Sequence, residues 1–363
     1  MMKIAIMSLA DINNYGDVFF PIIMKGELIK RLPDCQIDII TNTIYDYGIY
    51  KTKAYCDVNM EEYNAIIMGG GELISPYDDM AFCETYGPTY RGCPSDIAYN
   101  WLDIPNAYKV WFSVGAHPVL YDYPELVKHA LSKLDYLSVR GNISKKVLEK
   151  RFVNNNEDIR VIPDLGWLFP EYIDSGEGRK TEQEYCVFQA IHDIDIEKNI
   201  KFISDTLLCF QKERNIKVLL LPIMQTNKQW GEREVLEKIW LASQKELELV
   251  PFGLNIMQIG KILSGTKFFV GASLHGAITS LAYGKPAVNI RNSINTKLQD
   301  LHASRFRSTC FVNSWEMLPG VLDSLCEEAE NTIDSKYGIM YAEYMQYRLA
   351  REFDDLAFRI KEH

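Results

Sequence analysis

The stretch "FFVGASLHGAIT" (Phe268–Thr279) sets one histidine, His275, where an apolar strand turns into a helix. The free N–H groups of a helix's first turn favour an anion. They also disfavour an imidazolium, so His275 is expected to be neutral while the site is empty. A neutral imidazole can take a proton from a hydroxyl, and its protonated form can return one to carbon. Ser273 and Gly276 flank it, and their backbone is expected to lie at an anion. A histidine satisfied by a carbonyl in the core is the plain alternative. The glycines around it and a matching arginine elsewhere favour the chemical reading.

That arginine is Arg140, in "LSVRGNIS" (Leu137–Ser144), at the end of an apolar strand where packing does not call for a long cation. Arginine grips carboxylate or phosphate with two prongs. "IRVIPDLG" (Ile159–Gly166) adds Asp164 at the next strand end. An Arg140–Asp164 ion pair tying two loops together is compatible with Arg140 also holding an anionic substrate. "INNYGDVFF" (Ile12–Phe20) places Asn14, Gly16 and Asp17 at a strand-to-helix turn, where Asp17 either caps the helix or offers a carboxylate to a substrate hydroxyl. "MGGGELI" (Met68–Ile74) ends a strand on glycines that include Gly70 and Gly71, which form a plain turn or let a ligand approach the backbone. In "FSVGAHPV" (Phe112–Val119), Gly115 and His117 follow another strand, and His117 either faces a cleft or caps its loop. No G-x-G-x-x-G and no glycine loop followed by Lys-Ser/Thr is present, so neither a dinucleotide fingerprint nor a P-loop is indicated.

Strand ends need strands. Apolar, β-branched runs fall at Lys3–Leu9, Ile37–Thr41, Tyr63–Gly71, Lys109–Ala116, Tyr136–Gly141 and Ile159–Gly166, with a helix at Asp17–Leu32 and further helical segments between several of them. The pattern stops in the polar stretch Glu171–Tyr185, read as a linker over 171–184. It restarts with strands at Tyr185–Ile191, Lys217–Ile223, Phe268–Ser273 and Ala287–Ile290. Helices are expected near Asp195–Arg214 and Glu232–Gln244, and from about His275. Near-continuous apolar strands between helices predict parallel sheets covered on both faces. The fold class is therefore α/β, two Rossmann-like domains (1–170 and 185–330) whose sheets face a central cleft, followed by a helical tail over 331–363. Ligands in such sheets bind beyond the carboxyl ends of the strands.

At 363 residues the chain is too long for one comfortable core. Its net charge of −10 disfavours binding nucleic acid through phosphates, although a local pocket for one small anion is compatible with it. Cys35, Cys56, Cys83, Cys93, Cys186, Cys209, Cys310 and Cys326 show no C-x-x-C and no zinc-type spacing. They read as free thiols of a cytoplasmic protein, with no metal site expected. No signal peptide opens the sequence and no apolar run reaches the length of a membrane span, while loose association with the inner membrane face stays open.

In this order and spacing, "NNYGD", "MGGGELI", "FSVGAHP", "LSVRGNIS", "VIPDLGWLF" and "SLHGAITSLAYGKPAVNI" resemble the polysaccharide pyruvyl transferase family, over roughly Ile12–Ile290. The resemblance implies a GT-B-like fold, with the acceptor on the N-terminal and the donor on the C-terminal domain. It implies transfer of the enolpyruvyl unit of phosphoenolpyruvate to a sugar, giving a pyruvate ketal and phosphate with no further cofactor. The sugar would belong to a surface polysaccharide or a precursor, lipid-linked or free. His275 then matches the family's essential histidine, Arg140 a donor-holding arginine, Asp164 the aspartate of its "PD" motif, and Asn14, Gly16 and Asp17 its "N-x-G-D". Two positions depart from the family pattern. Ser273 stands where members often carry arginine, and Gly141 where they often carry aspartate. Lys285, Arg291, Arg305 and Arg307 are the candidates to replace the lost cation. Gly70, Gly71, Gly115 and His117 are expected to line the cleft. The aromatic-rich segment Tyr77–Trp101 is expected to shape the acceptor site, or to form a lid or subunit contact. A nucleotide-sugar glycosyltransferase and a non-catalytic carbohydrate-binding relative are the alternatives.

Overall fold

The computed structural model describes residues 1–80, 93–152, 159–173, 183–192, 194–224, 231–290, 296–303 and 311–363. Residues 81–92 of the aromatic-rich segment, and Arg291, Arg305 and Arg307, lie outside the described residues. The chain forms two compact units, one of Met1–Leu165 with Tyr347–His363 and one of Gly166–Gln346.

The first unit is built on seven parallel strands: β1 (Lys3–Met7), β2 (Gln36–Thr41), β3 (Lys53–Ala54), β4 (Ala65–Gly69), β5 (Tyr108–Val114), β6 (Tyr136–Val139) and β7 (Arg160–Val161). Their order is β3-β2-β1-β4-β5-β6-β7. β4 is buried at every residue, as the unbroken run "AIIMG" demands of a central strand covered on both faces. Helix α1 (Tyr15–Arg31) opens on Asn14, whose side chain accepts the Gly16 N–H at 3.4 Å. The second unit holds six parallel strands: β8 (Tyr185–Gln189), β9 (Lys217–Leu220), β10 (Glu248–Leu249), β11 (Phe269–Gly271), β12 (Ala287–Ile290) and β13 (Phe311–Val312), in the order β10-β9-β8-β11-β12-β13. Between them run α2 (Ile194–Arg214), α3 (Glu232–Ala242), α4 (Ile256–Ser264) and α5 (Leu274–Ala282).

Both sheets start in the middle, build to one edge, then cross back and build to the other. The winding therefore reverses between β1 and β4 in one unit and between β8 and β11 in the other. In open sheets the carboxyl ends at such a reversal are where ligands bind. Asn14, Gly16 and Asp17 follow β1, Gly70 and Gly71 follow β4, and His275 follows β11. The expected α/β, doubly wound class is what the chain adopts.

The tail is one helix, α6 (Thr332–Glu362), of 31 residues. Its buried stripe runs through Ala342, Met345, Leu349, Phe353, Leu356 and Ile360. The last part belongs to the first unit, where Phe353 packs on Phe112 at 4.7 Å between ring centroids and Asp354 meets Arg31 at 2.6 Å. Among the described residues, no helix is long and apolar enough to cross a membrane.

Candidate functional site

In the first unit, Arg140 and Asp164 form a buried ion pair. Arg140 Nη1 donates to Asp164 Oδ2 at 3.0 Å, and each side chain is only 6% exposed. Gly115 makes room for the pair: a Cβ there would lie 2.9 Å from both Nε and Nη2 of Arg140. The strand that carries Gly115 is irregular. Ser113 is fully buried with φ 56°, in the left-handed region that L-residues rarely adopt, and the β5–β6 register shifts between Trp111 and Val114. Such a conformation persists only where the surroundings fix it. Here the Ser113 N–H donates to Ser138 Oγ at 3.1 Å, and its own Oγ donates to the Pro163 carbonyl at 2.8 Å. The Arg140 N–H donates to the Val114 carbonyl at 3.1 Å. The strain thus lies in the turn that seats Arg140 and Asp164.

Gly70 and Gly71 both have positive φ, 73° and 75°, so the turn after β4 needs glycine twice. A Cβ on Gly70 would strike the Phe20 ring at 2.6 Å, and one on Gly71 would stand 3.5 Å from Asp17 Oδ1. Asp17 therefore faces the glycine turn. Backbone pairing continues past the strands, with the Gly115 N–H on the Gly71 carbonyl at 2.7 Å and the Ile74 N–H on the Gly115 carbonyl at 3.1 Å. His117 caps a short 3-10 turn, its Nδ1 accepting the Val119 N–H at 3.2 Å.

Sequence reading missed a polar and aromatic cluster beside Asp17. Asp11 Oδ2 accepts the Thr43 N–H at 2.9 Å and hydroxyl at 3.0 Å, and burial pushes its carboxyl up to about 6 against those hydrogen bonds. Tyr47 donates to the Ala10 carbonyl at 2.6 Å and Tyr50 to that of Val18 at 2.8 Å, their rings 5.2 Å apart. Together these bonds pin the loop after β2 over the turn that carries Asn14 and Asp17.

In the second unit, Ser273 is the N-cap of α5. Its Oγ accepts the Gly276 N–H at 3.1 Å. The Gly276 N–H expected at an anion is thus engaged by the cap. His275 occupies the second helical position, half-buried, with its ring 6.4 Å from that of Phe169 between centroids. Its carbonyl accepts the Thr279 hydroxyl at 2.7 Å.

The turn before His275 is braced from both neighbouring strands. Gln189, the last residue of β8, accepts the N–H groups of Ala272 and Ser273 on its Oε1, at 2.8 and 2.9 Å. Asn289 of β12 donates to the Gly271 and Ser273 carbonyls at 2.8 and 3.1 Å. A Cβ on Gly271 would come within 2.6 Å of the Gln189 carbonyl, so glycine alone permits this approach. Behind Gln189 lies Glu232, the first residue of α3, whose Oε2 accepts the N–H groups of Ile223 and Met224 at 2.8 and 3.1 Å. Four adjacent strand ends are thereby knitted by three buried polar side chains. Lys285 is not among them. It precedes β12, at the opposite end of the sheet from His275, beside Gly265–Lys267 and Gln183–Tyr185. It is in the wrong place to serve as the cation expected beside Ser273 and His275.

Burial raises the Glu232 carboxyl from the usual 4.5 to about 7, outweighing the two backbone donors and the Gln189 side chain, which lower it. A carboxyl that is a weaker acid when folded gives its full stability below the unfolded pKa and loses it as pH rises to the folded one. Between pH 4.5 and about 7 the penalty grows to about 3 kcal/mol. Glu232→Gln keeps an acceptor for both N–H groups without the charge. Its thermal midpoint is expected to fall less than that of the native chain between pH 5 and pH 8. Equal falls would mean that the carboxyl titrates normally.

Two doubly wound parallel sheets, each with polar groups gathered where its winding reverses, define a GT-B-like α/β protein. The sequence profile of the polysaccharide pyruvyl transferase family matches residues 14–294. The chain belongs to that family. No curated protein matches it. Among solved structures it resembles the sucrose-phosphate synthase of Thermosynechococcus elongatus (TM-score 0.60, 11% identity, all of both chains covered). It also resembles a putative UDP-N-acetylglucosamine 2-epimerase of Listeria monocytogenes (TM-score 0.59, 10% identity, 94% of this chain and 91% of that one). A third likeness is the UDP-GlcNAc 2-epimerase of Methanocaldococcus jannaschii (TM-score 0.58, 10% identity, 96% of this chain and all of that one). At such identities the likeness concerns the fold.

Proposed function

We propose that the chain transfers the enolpyruvyl unit of phosphoenolpyruvate to two hydroxyls of a sugar in a surface polysaccharide or its precursor. The observation that carries this reading is the family match across residues 14–294, which includes His275 at the head of α5 and the buried Arg140–Asp164 pair. In the reaction, one sugar hydroxyl adds to the enol carbon of the donor. The hydroxyl proton is taken by a base, and the methylene carbon gains a proton to become methyl. A second hydroxyl then displaces phosphate from the same carbon, closing the ketal. His275 is the acid/base group, since an imidazole can both take a proton and give one back. Arg140 is the cation for the donor, held in place by Asp164. Asp17, with Gly16, Gly70 and Gly71 around it, is the carboxylate for the acceptor. Donor and acceptor would suffice as reactants, with no metal or further cofactor.

Ser273 is where the reading is most exposed. As the cap of α5 it performs a task an arginine side chain cannot, and it brings no charge to a trianionic donor. The test is phosphate release from phosphoenolpyruvate with a panel of galactosides, glucosides and N-acetylhexosamines, with mass detection of the ketal. Release coupled to a sugar that gains the ketal is the expected result. If phosphoenolpyruvate neither turns over nor raises the thermal midpoint while a nucleotide sugar does, the donor has changed and the reading falls.

A further inference from the structure

Helix α6 has an outer face that a solvated helix would not carry. Ile333, Tyr337, Met340, Tyr344 and Tyr347 are 74, 40, 66, 54 and 59% exposed. At 3.6 residues per turn they fall within roughly 40° of one line, over about 21 Å of helix. Their spacing alternates four and three residues, the seam of a two-stranded coiled coil. The opposite side of the helix is already used. There Gly338 lies against the loop after α5, so close that a Cβ on it would meet the Gly284 carbonyl at 2.8 Å. Contiguous exposed apolar faces of this kind mark interaction sites.

The charges beside the stripe indicate what covers it. Lys336 and Glu343 lie on the same flank, one heptad apart, and neither makes an ion pair among the described residues. We propose that the stripe is the interface of a two-fold homodimer, with α6 packed antiparallel on α6 of a second copy. A two-fold axis between Gly338 and Ile339 sets Ile333 opposite the partner subunit's Tyr344 and Tyr337 opposite the partner subunit's Met340. It also brings Lys336 to within two residues, about 3 Å along the helix, of the position opposite the partner subunit's Glu343, on the same flank and within a lysine's reach, and the symmetry repeats each contact. A helix that lies on an anionic membrane carries a basic rim, whereas this flank holds one lysine and one glutamate. Five half-exposed side chains of this size remove roughly 1,000 Å2 from water over two copies, the low end for a specific pair. The dimer is therefore reversible, with an expected Kd on the order of 10 µM.

Sedimentation velocity of the full chain from about 1 to about 100 µM brackets that affinity. The mass is expected to rise toward twice that of the monomer. Met340→Glu, on an exposed side chain, weakens association at least tenfold with an unchanged thermal midpoint, and Tyr344→Arg does the same. Lys336→Glu and Glu343→Lys each weaken it, and the two together restore it, because the reciprocal pair is then reversed. A monomer at the highest concentration overturns the proposal, as does a dimer indifferent to Met340→Glu or a double reversal that fails to restore pairing. Flotation of the monomer with phosphatidylserine vesicles, lost in Met340→Glu, would overturn it in favour of a membrane surface.

Discussion

His275→Ala is expected to fold normally and to lose turnover by about 10²–10⁴-fold, the range in which a positioned acid/base side chain contributes. The two halves of that expectation rest on different atoms. The His275 carbonyl accepts the Thr279 hydroxyl, and the helix around it is capped by Ser273. Alanine keeps all of this and is the best helix former. The ring is removed, and with it the packing against Phe169. The thermal midpoint should move by a few degrees at most, while phosphate release with a productive sugar collapses. If His275→Ala turns over phosphoenolpyruvate at the native rate, the proton is moved by another group, and Asp17 becomes the residue to replace. A protein that binds sugar but releases no phosphate in either form would be the non-catalytic relative.

The geometry behind His275 was only partly legible in the sequence. The α/β class, the strand runs and the glycine turn before α5 could be read, because continuous apolar strands and strand-end glycines are local signals. The helix expected at Asp17–Leu32 runs Tyr15–Arg31, and the strand expected at Tyr136–Gly141 ends at Val139, where Arg140 leaves the sheet. The brace was not read. Gln189 and Asn289 each stand at the end of an apolar run, in "VFQA" and "VNIR", the same placement that drew attention to Arg140. An amide carries no charge to mark it, and its value depends on two strands that are neighbours only in the folded sheet. Glu232 is still less visible, since an acid at a helix start is ordinary until it is found buried. The left-handed Ser113 has no local signature at all. Its conformation is fixed by Ser138 and Pro163, which are 25 and 50 residues away in sequence. β3, β10 and β13 are two residues each, too short for any periodicity to show.

Arg140→Met should damage the protein twice, and the two effects can be separated. With both side chains 6% exposed, removing the guanidinium takes the neighbouring cation from the Asp164 carboxylate in a place water hardly reaches. Breaking a buried pair from one side costs about 3–5 kcal/mol, so a marked drop in thermal midpoint is expected. Replacing both partners by apolar groups of similar size is commonly neutral or stabilising, so Arg140→Met with Asp164→Leu should recover most of that loss. Stability returns in the double variant, but the cation does not. If Arg140 holds the donor, the double variant folds and still fails to bind phosphoenolpyruvate, with KM raised by at least tenfold or turnover abolished. If it recovers turnover along with stability, Arg140 is a strut between two loops and the donor's charge is met elsewhere. Arg140→Lys sharpens the distinction, because it keeps the charge and loses the two-pronged geometry. A strut tolerates that change better than a clamp does. Gly115→Ala approaches the same question from the backbone: its methyl would lie 2.9 Å from the guanidinium, so the arginine must shift. A donor-binding Arg140 predicts that this one methyl raises the KM for phosphoenolpyruvate while leaving acceptor KM unchanged.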